Sequence, residues 1–275
     1  MRISNSDTYS FSQAIKIETI KMVHRAKASH IGGAFSMVDI LAVLYGNLLN
    51  IDPNNIFLPT RDRFILSKGH ACSSLYATLA LKGFYPLNFL DSFGSDGSMF
   101  TAHTSHLIPG VEFSSGSLGH GLPYGCGVAL AGKRKGCNWK TIVLLSDGEL
   151  DEGSNWEAIL FAAHQQLKNL IIFIDYNKIQ SFGTVEEVLN LEPLLDKFKA
   201  FGWSVCEIDG HNHSQIANSF LNCGMEGKPS VIVANTIKGK GITFMENQLL
   251  WHYKSPSDEE LRNALNQISG ENRIY

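Results

Sequence analysis

The sequence predicts an α/β fold with a single doubly wound, mainly parallel sheet and helices on both faces. The first observation is a strand, a crossover helix and a second strand in succession, at Thr141 to Leu145, about Glu152 to Leu167, and Leu170 to Ile174. Parallel strands need such a crossover, which is almost always right-handed and covers one sheet face. The second observation is a further pair of predicted strands, Trp203 to Ile208 and Ser230 to Asn235, with a helix between them at Gln215 to Leu221.

The first half of the chain is predicted to be mostly helical. From about Ser10 to Ala28, apolar residues recur at spacings of four and seven, which is typical of a helix that buries one face. The segment Ser29 to Gly33 is predicted to be a loop. Ser36 and Asp39 have the spacing of a capping box, so we expect a second helix to begin there and to continue through the apolar run Ile40 to Leu49.

The middle of the chain begins with a predicted strand and ends with a long loop. Arg63 to Ser67 is short, apolar and bounded by turn residues, so we interpret it as a buried strand. A helix from Ser73 to Lys82 follows, and Gly83 ends it. Phe84 to Ser117 is rich in Gly, Ser and His without clear periodicity, and a loop of this length in a compact domain is usually functional or disordered. The histidines favour function.

Two further helices complete the prediction. Gly119 to Gly132 is rich in small residues, which favours close packing of this helix on another element over a direct ligand role. The last helix begins at Ser257, and the acidic residues of its first turn complement the positive end of the helix dipole. No linker, repeat or low-complexity block divides the chain, so we expect one domain over residues 1–275.

Composition excludes several classes of function. The net charge is −3 over 275 residues, which suggests neither a nucleic-acid groove nor a basic membrane face. The five cysteines form no Cys-x-x-Cys pair, which argues against a disulfide framework or a thiolate zinc site. The N-terminus lacks the apolar core of a signal peptide, and no apolar run is long enough to span a bilayer. We therefore expect a cytoplasmic protein.

Polar residues follow two neighbouring predicted strands. Asp147 and Gly148 come directly after the strand that ends at Leu145, and Asn177 follows the one that ends at Ile174. Ligands of open parallel sheets bind at this edge. The Asp147 carboxylate, the Asn177 amide oxygen and the Ile179 carbonyl would suit Mg²⁺, with Ca²⁺ an alternative, and Gly148 would let a phosphate approach the backbone. An ordinary turn with a loop-capping Asn fits the same spacing about equally well.

The Ser146-Asp147-Gly148 to Asn177 spacing resembles the Gly-Asp-Gly to Asn signature of thiamine-diphosphate enzymes. Around it, the chain resembles the N-terminal, diphosphate-binding part of transketolase. The resembling segments run in family order across nearly the whole chain: Ser29 to Gly33, Arg61 to Ala71, Pro109 to Glu112, Gly116 to Gly121, Thr236 to Gly241, and Trp251-His252.

The resemblance implies a thiamine-diphosphate-binding fold and a set of site residues. Asp147, Asn177 and the Ile179 carbonyl would bind Mg²⁺. Histidines would line the channel over the thiazolium carbon and exchange protons with sugar hydroxyls, because their unperturbed pKa lies near 6.5. These would be His30, His70 and His103, with His252 also meeting substrate. The residues implied to surround the diphosphate and thiazolium are Gly148, His70, Lys68, Lys238 and His252, and those implied to contact the aminopyrimidine are Gly116 and Leu118.

Glu152 has two interpretations. It could simply complement the dipole of the helix that it begins, or, as the resemblance implies, join a carboxylate network between two active sites. Glu157 is a further candidate for that network. The sequence also departs from the family pattern at Ser146, at Ala102-His103-Thr104 in place of Gly-His-Pro, and at Ile31 after His30.

The resemblance also implies an incomplete enzyme. Full-length transketolases are more than twice this length, and their second domain supplies the glutamate that activates the aminopyrimidine. We therefore expect the N-terminal subunit of a two-component transketolase that transfers a two-carbon ketol unit between sugars or sugar phosphates. Its partner would be a C-terminal, pyrimidine-binding subunit in an α2β2 heterotetramer. The alternatives are the α subunit of another thiamine-diphosphate enzyme, such as a 2-oxoacid dehydrogenase, or a non-catalytic regulatory subunit.

Overall fold

The structure, a computed structural model, describes residues 5–270, apart from the side chains of Asn5, Ser6 and Asn47. Five strands form one sheet in the order β1-β2-β3-β5-β4, and every neighbouring pair is parallel. The strands are β1 (Arg63–Leu66), β2 (Thr141–Ser146), β3 (Leu170–Tyr176), β4 (Ser204–Asp209) and β5 (Ser230–Asn235). The predicted parallel sheet is thus confirmed, and each strand lies within two residues of its predicted position.

Helices cover both faces of the sheet. They are α1 (Asn5–Arg25), α2 (Ile31–Ser36), α3 (Val38–Val43), α4 (Cys72–Leu81), α5 (Gly121–Arg134), α6 (Gly153–His164), α7 (Val185–Val188), α8 (Leu194–Ala200), α9 (His213–Asn222) and α10 (Asp258–Gly270). Successive residues of β2 alternate between two cores, because side chains of a strand point to opposite faces. Ile142 and Leu144 pack with α3 and α4, whereas Val143 and Leu145 pack with α5 and α6.

The predicted helix start at Ser36 is wrong. Ser36 is the last residue of α2, and its Oγ donates to Asp175 Oδ2 at 2.5 Å rather than capping a helix. Asp39 does not complete a capping box either, because its carboxylate binds His211 and His213. The helical segment begins earlier, at Ile31, so most of the predicted loop from Ser29 to Gly33 is helical. Partners that are distant in sequence outweigh the local capping pattern here.

The sequence did not predict several short elements. Two short helices, α7 and α8, lie between β3 and β4, where no element was expected. The long segment from Phe84 to Ser117 is largely irregular, as expected, but contains a 3₁₀ turn at Leu87–Ser92. Within the described residues, no helix combines the length and the apolar character needed to cross a bilayer.

Glycines on one face of α5 allow it to lie against the sheet. A Cβ on Gly125 would come within 2.5 Å of Val143 Cγ2, whereas a Cβ on Gly127 would meet no atom within 4 Å. A Cβ on Gly121 would lie 2.5 Å from Ser67 Cβ. The small residues of this helix therefore serve close packing, as expected.

Gly125 and Gly127 provide a matched pair of substitutions. Gly125→Ala should lower the free energy of unfolding by about 1–3 kcal/mol, because the added methyl group overpacks against Val143. Gly127→Ala should raise it by up to about 1 kcal/mol, because alanine has the higher helix propensity. Urea unfolding followed by circular dichroism measures both values. Equal effects of the two substitutions would contradict the packing of α5 against β2.

Candidate active site

The carboxyl ends of β2 and β3 are neighbours, as predicted. Ser146 pairs with Asp175 in the sheet, so the residues that follow these strands lie at one edge. Asp147 is buried, and its Oδ1 and Oδ2 accept from Gly148 N and Lys178 N, each at 2.7 Å. The carboxylate of the first predicted metal ligand is therefore tied to the loop that carries the other two.

The other two predicted metal ligands share that loop. Asn177 Oδ1 accepts from Ile179 N at 3.2 Å, and Ile179 O accepts from Lys238 Nζ at 2.9 Å. Burial, together with the nearby Asp175 carboxylate, raises the pKa of Asp147 to about 6. A divalent cation would stabilise the ionised form of such a carboxyl group.

The donor chemistry of this edge fits a hard cation. Carboxylate, amide and carbonyl oxygens are the ligands that Mg²⁺ and Ca²⁺ prefer. Among residues 5–270, no three His, Cys, Asp or Glu side chains are arranged to hold a metal ion. A metal at this edge would therefore have to use the amide and carbonyl oxygens of the loop after β3 as well as Asp147.

An ion pair beneath this edge was not predicted from the sequence. Lys68 Nζ lies 2.5 Å from Asp175 Oδ2, and both side chains are at most 1% exposed. Ser36 and Thr236 also donate hydrogen bonds to the Asp175 carboxylate. Burial alone would raise the pKa of Asp175, but the Lys68 ammonium and these hydrogen bonds hold it below its usual value. The sequence signal that could have indicated this ion pair is the acidic residue directly after the apolar run Leu170 to Ile174.

The four predicted histidines form one cluster. The ring centroid of His30 lies 5.2 Å from that of His70, 6.4 Å from that of His103 and 5.0 Å from that of His252. His30 precedes α2 with a left-handed backbone (φ 70°), and its N–H donates to His252 O at 3.0 Å. The substituted Ala102-His103-Thr104 segment thus still brings its histidine to the cluster.

Three histidines of the cluster have lowered pKa values and are neutral at neutral pH. Burial lowers the pKa of His30 to about 4 and that of His252 to about 3, and the ammonium groups of Lys238 and Lys68 add to both shifts. Burial and the nearby Lys68 also hold the pKa of His70 well below its usual value. At neutral pH, each of these three rings therefore has one N–H donor and one acceptor nitrogen.

Lys238 connects the cluster to the loop after β3. Its Nζ contacts Ile179 O at 2.9 Å and His252 Nδ1 at 3.1 Å. Since a protonated ammonium only donates, His252 Nδ1 is the acceptor, and the proton of this ring lies on Nε2. Burial and repulsion by Lys68 lower the pKa of Lys238 to about 8. Two lysines and four histidines thus surround one edge of the sheet.

The remaining predicted residues lie around this centre. Gly116 is exposed beside His103, because a Cβ there would lie 3.9 Å from His103 Cδ2. Leu118 is half-buried, and Gly148 faces the Gln180 side chain. Glu152 is exposed at the N-cap of α6, where its side chain makes no capping hydrogen bond. Glu157 is also exposed.

A buried carboxyl group supports the turn that contains Gly116 and Leu118. Glu149 Oε1 accepts from Gly119 N at 3.0 Å and from Ser67 Oγ. Burial raises the pKa of Glu149. Gly119 has φ +82° and approaches Glu152 and Ser154 so closely that a Cβ would collide with both. Sequence reasoning missed Glu149, which looks like an ordinary acidic residue at a helix start.

Comparisons with known proteins identify relatives across nearly the whole chain. The family model described as "Transketolase, thiamine diphosphate binding domain" matches residues 8–272. A component of apulose-4-phosphate transketolase from Phocaeicola vulgatus is 39% identical over 251 residues, covering 91% of this chain and 89% of the relative. A component of 6-deoxy-6-sulfo-D-fructose transketolase from a Clostridium species is 40% identical over 262 residues, covering 94% of this chain and 95% of the relative.

Full-length relatives are matched only in part. Human transketolase is 32% identical over 268 residues, covering 94% of this chain and 42% of the human protein. The crystal structure of transketolase from Campylobacter jejuni superposes with a TM-score of 0.92 at 30% identity. That superposition covers 97% of this chain and 43% of the other. The chain therefore spans about two fifths of these longer proteins.

We expect the rings of His30 and His252 to stay neutral under mildly acidic conditions. Their ring ¹⁵N and ¹³C shifts should remain flat from pH 8 to about 5.5, whereas a histidine in a model peptide titrates near 6.5. NMR of the histidine-labelled protein, assigned with His30→Gln and His252→Gln, measures this. A midpoint between pH 6 and 7 for either ring would contradict the burial and the repulsion that keep these rings neutral.

The same pKa shifts have a consequence for stability. The folded protein protonates His30 only near pH 4 and His252 only near pH 3, whereas the unfolded chain protonates both near pH 6.5. The unfolded state therefore binds more protons in the window between these values. Acidification through that window favours unfolding, and stability from these groups is recovered as the pH rises.

Proposed function

The chain belongs to the transketolase family, and from this premise we propose that it is the N-terminal, thiamine-diphosphate-binding subunit of a two-component transketolase. The reaction is transfer of a two-carbon ketol unit from a ketose or ketose phosphate to an aldose. The observation that carries the proposal is the cluster of His30, His70, His103 and His252 beside the edge formed by Asp147 and Asn177.

The proposed cofactor is thiamine diphosphate with Mg²⁺. Asp147, Asn177 and the Ile179 carbonyl would hold the metal ion, while Lys238 and Gly148 would face the diphosphate. When bound, thiamine diphosphate supplies a nucleophilic carbon and an electron sink that no amino-acid side chain offers. In the part of the chain that the structure describes, the buried ammonium group of Lys238 contacts only neutral partners and suits an anionic diphosphate, whereas the charge of Lys68 is balanced by its ion pair with Asp175.

The histidines of this chain would orient the sugar and move its protons. A neutral imidazole can donate from one nitrogen and accept at the other, which suits a sugar hydroxyl that must both bind and lose its proton. His252 has its proton on Nε2, opposite the nitrogen that contacts Lys238, so it would donate to a substrate oxygen. His30, His70 and His103 would hold further hydroxyls and accept the proton that is released when a carbon–carbon bond breaks.

We propose that Gly116 and Leu118 contact the aminopyrimidine ring, because their turn lies beside His103 and is supported by Glu149. Glu152 and Glu157 would belong to a carboxylate network at a subunit interface. Glu152 at the N-cap of α6 and Glu157 in its second turn are both exposed and therefore accessible to a partner.

A separate C-terminal subunit would complete the site. Exposed apolar side chains occur in two parts of the chain, and we propose that the subunits of an α2β2 assembly cover them. Phe182 is 84% exposed and Leu189 52% exposed in the segment after β3, where Tyr253, the neighbour of His252 in the chain, donates from its Oη to Ser181 O at 2.7 Å. On α5 and α6, Tyr124, Leu160 and Phe161 are also exposed. We also propose residues 1–275 as one domain and a cytoplasmic location, which the five free cysteines support.

Co-expression with the pyrimidine-binding subunit tests the assembly and the reaction together. Size-exclusion chromatography with light scattering should give the mass of two copies of each chain, because the active site needs residues from both. The complex should convert a ketose phosphate and an aldose phosphate. The sulfonated sugar and the apulose phosphate in the names of the relatives should be assayed as further substrates. Full activity of this chain alone, or activity only with a 2-oxoacid and an electron acceptor, would contradict the proposal.

Asp147→Ala in the assembled complex tests the metal assignment. We expect it to abolish Mg²⁺-dependent retention of thiamine diphosphate, because the carboxylate is the one charged ligand proposed for the cation. Calorimetric titration with Mg²⁺ and thiamine diphosphate measures the loss. Asp196→Ala, which removes an exposed carboxylate on α8, is the control and should bind as the unmodified complex does. Undiminished binding by Asp147→Ala would show that the metal ligands are assigned wrongly.

A further inference from the structure

A buried polar cluster is centred on Asp39, which lies on α3 and outside the proposed active site. Asp39 Oδ2 lies 2.7 Å from His211 Nδ1, and Oδ1 lies 3.3 Å from His213 Nε2. The Asp39 residue is 5% exposed. Burial alone would raise its pKa, but Lys16 and the two histidines hold the pKa well below its usual value. The cluster therefore contains an ionised carboxylate with two imidazole partners.

The two histidines lead from Asp39 in different directions. His211 Nε2 accepts from Ile237 N at 2.9 Å, in the loop that follows β5. His213 Nδ1 instead contacts Thr8 Oγ1 at 2.8 Å, and its ring stacks on Tyr9 with centroids 3.7 Å apart. One imidazole thus connects the carboxylate to the loop of Lys238, while the other connects it to α1.

The sheet places His211 beside Ile237. Asp209 at the end of β4 pairs with Asn235 at the end of β5, and Gly210 N donates to Asn235 O at 2.8 Å. A Cβ on Gly210 would collide with Thr236 Cγ2. Glycine at this position therefore allows the chain after β4 to approach the loop after β5 closely enough for the imidazole to accept from an amide.

Ile237 stands between two residues that reach into the site. Thr236 Oγ1 donates to the buried Asp175 carboxylate, and Lys238 Nζ contacts Ile179 O and His252 Nδ1. A backbone shift at residue 237 would move both side chains at once. After Lys238, the backbone of this loop is next held at Gly239, whose N–H donates to Gly32 O at 2.9 Å.

We propose that Asp39 and His211 are positioning residues. They hold the backbone of the segment from Thr236 to Lys238 in the position that places its side chains at the cofactor site. A backbone amide can only donate, so His211 Nε2 is unprotonated and its proton lies on Nδ1, where Asp39 accepts it. The carboxylate thereby fixes the tautomer and the ring orientation, as outer partners of functional histidines commonly do. The role given to Lys238 rests on the proposed function, whereas the tautomer and the amide contact do not.

The unmodified full chain provides the first test. Nitrogen-15 NMR of the histidine-labelled protein should show the Nδ1–H tautomer for His211, and the amide of Ile237 should be protected from hydrogen exchange. An Nε2–H tautomer for His211 would overturn the proposal without any substitution. A rapidly exchanging Ile237 amide in the folded protein would overturn it as well.

Substitutions provide the second test, in the complex with the C-terminal subunit. His211→Leu should speed exchange at Ile237 and weaken thiamine diphosphate binding by about 10- to 100-fold, the usual range for losing such an outer partner. His211→Gln should recover most of the affinity, because its amide can donate to Asp39 and accept from Ile237. His213→Leu is the matched control: it removes the other partner of Asp39, but its contacts lead to α1 rather than to Ile237, so the dissociation constant should stay close to that of the unmodified complex.

The outcomes separate the positioning role from a merely structural one. Equal losses of affinity in His211→Leu and His213→Leu, or unchanged affinity in a folded His211→Leu, would overturn the proposal. If His211→Leu fails to fold, the His211→Gln variant and the NMR of the unmodified chain still decide it. Absence of thiamine diphosphate binding by the unmodified complex would contradict the proposed function instead, while the tautomer and exchange results would stand.

Discussion

The buried ion pair between Lys68 and Asp175 is the interaction on which the arrangement of the site depends. Both groups are almost completely excluded from water, and removing one would leave an uncompensated charge, which typically costs about 3–5 kcal/mol. Lys68 follows β1, Asp175 lies in β3, and the further partners Ser36 and Thr236 come from α2 and from the loop after β5. Satisfying one carboxylate therefore fixes four parts of the chain relative to one another.

The charges fixed in this way determine the chemistry of the neighbouring groups. Burial and the lysines keep His30, His70 and His252 neutral, so their rings can both donate and accept hydrogen bonds at neutral pH. Asp147, by contrast, has its pKa raised by burial and by Asp175, which favours a cation beside it. The same edge thus combines the Lys238 ammonium group, which suits a diphosphate, with oxygens that suit a divalent metal ion.

Much of the fold could be predicted from local patterns. The strands were found because buried parallel strands are short apolar runs, and the packing of α5 was found because its glycines and alanines make the helix narrow. The capping box at Ser36 was wrong, since its hydroxyl group binds Asp175, which is 139 residues away. The helices α7 and α8 were missed because four and seven residues are too few to establish a periodicity.

The sequence by itself determined the parallel sheet and the placement of Asp147 and Asn177 at one of its edges, because strand positions and strand ends follow from hydrophobic pattern and crossover geometry. Only the tertiary structure decided which side chains meet there. The contacts of Lys68 with Asp175, of Glu149 with Gly119, and of His211 with Ile237 join residues that are 107, 30 and 26 positions apart. Such pairs leave no periodic signal in the chain, since they form from distances and burial that exist only after folding.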